Sequence, residues 1–239
     1  DFCRYQVEIP EYFYYRYETK GYEQIHVLKE ATNQTFDTKG GNESGGLVTV
    51  NCNLLTFISK QLPALKNEPF LWCMDDYNST VEFELDGLQF PGVPYRNYTT
   101  DWKEVKNTLE KTERFGGKLK VKNPYEEEMR TMNLSSLPFE EKLRAVFGLL
   151  KSKIKWNKRY NLYADDLKEC VRQGSGSNAD LNFILISMLR DAGIIAKPIL
   201  LRTRTAGKLP IRPTLNKLNT FVVAAYTSDG KPYYLDGSI

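Results

Sequence analysis

Histidine is nearly absent from this chain: His26 is the only one among 239 residues. Any imidazole base or histidine metal site would have to be built around it. Cysteine is scarce too. Cys3, Cys52, Cys73 and Cys170 form no CxxC pair and no other metal-ligand spacing, so they read as free thiols or at most an occasional disulfide. No metal or other cofactor is expected. An excess of one charge is missing as well: 33 basic against 30 acidic residues leave a formal +3, which does not make a nucleic-acid-binding stripe. No apolar run approaches the length of a membrane span. The GSGS of residues 174–177 lacks the Lys-Ser/Thr that would complete a phosphate loop. Adjacent carboxylates such as Asp75-Asp76 and Asp165-Asp166 seldom face one cleft, so a glycosidase pair is not expected. The chain starts at Asp1 without a Met or a signal-peptide core, which leads us to expect a fragment or a mature product.

What is present is an ordinary globular composition, 41% hydrophobic and 26% charged, long enough for one large or two ordinary domains. Residues 1 to about 92 are dense in Tyr and Phe. Runs such as YQVEI, GLVTV and STVEFEL alternate apolar with polar positions and predict strands, with turns at FDTKGGNESGG and FPGVP. LPALKNEPFLW is too proline-marked for a central strand and predicts an extended connection. Asp101 with Glu104 makes a capping box, followed by the stripe Trp102, Val105 and Leu109: a short helix to about Lys111. FGGKLKVKNPYEEEM then reads as a linker, so the domains are expected at 1–120 and 121–239.

Behind the linker, a helix is expected from near Ser136, with Pro138 in its first turn and Leu143, Val146, Phe147, Leu150 and Ile154 on one face. The centre of the chain is GSGSNADLNFILISMLRDAG, residues 174–193. Apolar residues crowd several faces there, Leu181, Ile184, Leu185, Met188 and Leu189 on one and Phe183 and Ile186 on others, which predicts a buried helix ending at Gly193. Ser177, Asn178 and Asp180 offer capping oxygens at its start. AKPILLRTR, NTFVVAAY and PYYLD follow as strands, so the plan is α+β.

This order, with GSxxD opening the buried helix, resembles the transglutaminase-like superfamily, a papain-related group with a Cys-His-Asp triad. The resemblance runs from about Pro138 to Ile239. In that group the dipole of the helix and an adjacent imidazolium favour the thiolate, and the carboxylate orients the imidazole. Carried onto this chain, the nucleophile position falls on Asn178, the base on Asn219 and the acid on Asp236. An amide is neither nucleophile nor base near neutral pH, so no cysteine-dependent acyl transfer is expected.

The front segment LPALKNEPFLWCMDDYNSTVEFEL, followed by DW and FGG, resembles a β-rich module that precedes such domains in secreted or periplasmic proteins of Gram-negative bacteria. It implies a β-sandwich-like front domain, a periplasmic or secreted location and a further β domain downstream. The expected function is a catalytically degenerate binding or scaffold module of the bacterial envelope, with Asn178, Asp180, Asn219 and Asp236 in a polar cleft for a peptide or glycan. The alternatives are an active transglutaminase-like amidase or protease, and a purely structural spacer in which Asn178 is simply an N-cap, Asn219 a strand-end hydrogen bonder and Asp236 a turn residue.

Overall fold

The computed structural model describes residues 2–37, 46–66, 68–98, 101–210 and 212–239. The GGNESGG part of the first expected turn lies outside them, apart from its last glycine. The chain is a mixture of helices and several small sheets, and it divides into two units: Asp1–Thr99 with Arg204–Gly207, and Thr100–Thr203 with Lys208–Ile239.

The first unit holds two three-stranded antiparallel sheets. One runs in the order β1-β4-β3, from β1 (Phe2–Pro10), β4 (Leu47–Lys60) and β3 (His26–Asp37). The other runs β2-β5-β6, from β2 (Phe13–Lys20), β5 (Thr80–Leu88) and β6 (Arg96–Asn97). Ile9, Leu55 and Phe57 of the first sheet meet Phe13, Val81 and Phe83 of the second in a small core, where Phe57 and Phe83 stand edge to face at 5.7 Å. β3 was not foreseen: HVLKEATNQTFD is polar on both sides, because the strand is largely solvent-facing and is held by twelve register pairs to β4. Residues 62–66 and 68–72 form no strand, as their prolines require.

The second unit begins earlier than the expected boundary at 120. Helix α1 (Trp102–Lys111) has the anticipated capping box and buries Val105 and Leu109 in the core of the second unit. The supposed linker is helical as well. A π-turn (Glu113–Gly117), a 3₁₀ turn (Lys118–Lys120) and α2 (Glu126–Arg130) carry Phe115, Tyr125 and Met129 into the same core. One of the glycines read as linker punctuation has a packing reason: a Cβ on Gly116 would sit 1.9 Å from the Glu110 carbonyl oxygen. α3 (Phe139–Lys153) follows Pro138, which stands at its N-cap, and β7 (Lys155–Trp156) pairs in parallel with β8 (Ser175–Gly176) around α4 (Leu167–Gln173).

Helix α5 (Asn178–Asp191) is the centre of this unit. From Asn178 through Leu189 only Asp180 escapes burial, so the helix is apolar around most of its circumference because it has neighbours around most of its circumference. Each fully buried large side chain contributes about 1.5–3 kcal/mol of transfer free energy. The helix stops at Ala192, with Gly193 at φ 75°, a conformation glycine adopts freely. The sheet that packs on α5 has the order β11-β10-β9, from β9 (Ile195–Leu201), β10 (Thr220–Tyr226) and β11 (Pro232–Leu235), all antiparallel. Phe115, Phe183 and Phe221 pack as one aromatic cluster, with centroids 4.8 to 5.5 Å apart. Among the described residues no helix is long and apolar enough to cross a membrane.

Candidate functional site

Two polar side chains one helical turn apart, Asn178 and Asn182, lie on the face of α5 that meets β10 and the end of β11. Neither has any exposed surface. Buried amides demand partners, and both have them. Asn178 donates through Nδ2 to Thr220 Oγ1 at 2.5 Å, and its Oδ1 accepts from the Asn161 backbone N–H at 2.6 Å. Its own backbone N–H donates to the Arg159 carbonyl at 3.1 Å. Asn182 donates to the Phe221 carbonyl at 2.8 Å and to Asp236 Oδ1 at 3.3 Å, and accepts from the Gly237 N–H at 2.7 Å.

The N-cap of α5 is Ser177, not Asn178. Ser177 Oγ accepts from Asp180 N–H, while Asp180 Oδ2 accepts from both the backbone N–H and the hydroxyl of Ser177. This frees the Asn178 side chain to reach across to the sheet, and it ties the Asp180 carboxylate, expected as a ligand contact, to the capping box.

Of the expected positions, Asn178 and Asp236 come to the same helix face through separate partners. Asn219 goes elsewhere: it accepts from Thr203 N–H and donates to Thr203 Oγ1, both at 2.8 Å. The residue opposite Asn178 is Thr220. Successive strand residues point to opposite faces, so a shift of one residue decides which side chain meets the helix. The alternation of buried Leu218, half-buried Asn219 and buried Thr220 carries that signal, and Leu218 was its visible marker in the sequence. Asn182 was missed because it sat unremarked inside the apolar helix. Asp236 Oδ1 also accepts from Ser238 N–H and Oγ, closing the turn after β11.

Residues 157–161 reach Asn178 through the Arg159 carbonyl and the Asn161 N–H. Their path is fixed by the β7–β8 pairing, by the Asn157 N–H on the Gly176 carbonyl, and by the Trp156 indole N–H on the Arg159 carbonyl at 3.0 Å. Chemically, the cluster is an arrangement of satisfied donors and acceptors. Its members Asn178, Asn182, Thr220 and Asp236 include no thiol or imidazole.

Cys170 on α4 is buried with its sulfur close against Gly176, where a Cβ would stand 2.4 Å from Sγ. Burial, and then the nearby Asp180 carboxylate, push its thiol up to about 12, the opposite of what a nucleophile needs. His26 is exposed on β3 of the first unit. Among the described residues no group of three or more His, Cys, Asp or Glu could hold a metal ion.

No family model and no curated protein matches this chain. Solved structures do. A protein of Parabacteroides distasonis, provisionally named a protease, superposes on 98% of this chain with a TM-score of 0.54 at 17% identity. The chain has that protein's fold. It spans 40% of that protein's length. A provisionally named cysteine protease of Cytophaga hutchinsonii aligns over 99% of this chain and 79% of its own, at 11% identity and a TM-score of 0.35. The periplasmic domain of TgpA from Pseudomonas aeruginosa aligns over 99% and 69%, at 12% identity and the same TM-score. Scores of 0.35 are too low to support a common fold.

Proposed function

We propose that the second unit is a transglutaminase-like domain kept for its architecture, with the catalytic position converted into a structural hydrogen-bond cluster, and that the chain serves as a non-catalytic scaffold module. One observation carries this reading: the residue at the nucleophile position, Asn178, has no exposed surface and has both side-chain polar atoms engaged. A ligand-binding cleft needs polar groups that a ligand can reach, and the Asn178 amide is buried with its oxygen and its nitrogen both bonded within the protein. The structural role is therefore favoured over a peptide- or glycan-binding role for Asn178. The resemblance of the front segment supports reading the two sheets of the first unit as a sandwich-like module and the location as periplasmic or secreted, which cell fractionation of the full-length product tests.

The activity test is direct. The purified chain is assayed for incorporation of a fluorescent primary amine into a glutamine-donor protein and for peptide hydrolysis, alongside Asn178→Ala. Neither protein should turn over substrate, and Asn178→Ala should differ from the parent in stability alone. Turnover by the parent that disappears in a folded Asn178→Ala variant would establish catalysis at this position and sink the proposal.

A further inference from the structure

On the far end of α5 from Asn178, the second unit carries an apolar cavity of about 780 Å³ between α1, α5 and β9. This is within the size range of small-molecule sites, about 300–1,000 Å³. Its walls are Trp102, Val105, Leu109, Phe115, Ile186 and Leu200. Arg190 and Gly193 also line a second, polar cavity of about 840 Å³.

The charges around this junction are unequal. Glu110 on the first cavity is paired with Lys106, and Glu126 on the second with Arg130. That leaves Lys122, Lys142 and Arg190 to share the lining with Asp191 as the remaining carboxylate. Arg190 keeps its place by donating to the Leu119 and Val121 carbonyls, so its positive charge has no carboxylate partner there. The apolar lining of the first cavity and the basic lining of the second therefore adjoin at Arg190 and Gly193. β9, which forms one wall, is the edge strand of its sheet, but Pro198 at its middle has no N–H to offer an added strand. That disfavours an extended peptide as occupant.

We infer that this double cavity binds a single-chain anionic amphiphile, a long-chain fatty-acid anion, with the tail against Trp102, Leu109 and Leu200 and the carboxylate among Arg190, Lys122 and Lys142. The inference stands independently of the reading of Asn178.

The full 239-residue chain, titrated with laurate below its micelle concentration and followed by tryptophan emission, tests it. Trp102 is about half exposed in the cavity wall, so binding should shift the emission to shorter wavelength, and Trp102→Phe should remove that change. Each methylene buried is worth about fourfold in affinity, so decanoate, two methylenes shorter, should bind roughly fifteenfold more weakly than laurate. Dodecanol should bind several-fold more weakly than laurate. The double variant Lys122→Glu/Lys142→Glu, at solvent-accessible positions, should weaken laurate and leave dodecanol unchanged. Ala196→Phe should block both ligands by filling the trough; if it fails to fold, the chain-length series and the lysine variants decide. Absence of saturable laurate binding, or dodecanol binding as tightly as laurate, overturns the proposal. Displacement of laurate by an acidic leucine-rich peptide of higher affinity would overturn it in favour of a protein partner.

Discussion

Replacing Asn178 by alanine separates a structural role from a binding role. The substitution removes a side chain with no exposed surface and two hydrogen bonds, and leaves the Thr220 hydroxyl and the Asn161 N–H without their partner. An orphaned buried polar group costs about 1–3 kcal/mol. Asn161 is exposed, so its N–H can turn to water, whereas Thr220 is buried and its hydroxyl oxygen loses the donor that Asn178 supplied. The loss should therefore be about 2–3 kcal/mol, including the small cavity left behind. For a unit of this size each kcal/mol lowers Tm by about 2–4 °C, so calorimetry should show the transition of the second unit falling by about 5–10 °C. A side chain in an open ligand cleft would behave as a surface residue, changing stability by no more than about 0.5 kcal/mol. A Tm within about 1 °C of the parent would refute the structural reading of the cluster.

Thr220→Val keeps the shape and strands the Asn178 amide, so it should cost about 1–2 kcal/mol and show coupling of at least about 0.5 kcal/mol with Asn178→Ala in a double-mutant cycle, measured by denaturant unfolding. Asn219→Ala, at a half-buried position bonded only to Thr203, should cost less than Thr220→Val in the same assay; the reverse order would mean that Asn219 is the partner of the helix. Cys170 titrates at about 12 in the folded chain against an ordinary value near 9, so the unfolded chain loses this proton first. Its contribution to stability is complete below about pH 9 and drains away as pH rises toward 12, a slope that Cys170→Ala should flatten. Alkylation of the native chain at pH 8, mapped by mass spectrometry, should modify exposed Cys3 and spare buried Cys52, Cys73 and Cys170. Gly116→Ala should destabilise by about 1–3 kcal/mol in chemical denaturation, because the added Cβ meets the backbone carbonyl of Glu110, which cannot swing aside.

By itself the sequence determined whatever depends on neighbours along the chain. The capping box at Asp101 and Glu104, the stop at Gly193 and the all-round burial of α5 are local signals, written in spacing and residue type. So is the lack of cysteine and histidine within residues 174–193 themselves, whereas the placing of the Cys170 sulfur beside Gly176 was not. Tertiary structure decided the rest. Gly116, which looks like linker punctuation, is a close-packing site inside the second unit, because what it meets is a carbonyl from the preceding helix. The return of β10 to α5 sets Thr220, not Asn219, against Asn178, since strand parity becomes physical only when the face that meets the helix is known. The bonding of Arg159 and Asn161 to Asn178 was likewise unreadable: whether a polar residue at a helix start meets water, a ligand or another loop is decided by chain segments that arrive from elsewhere.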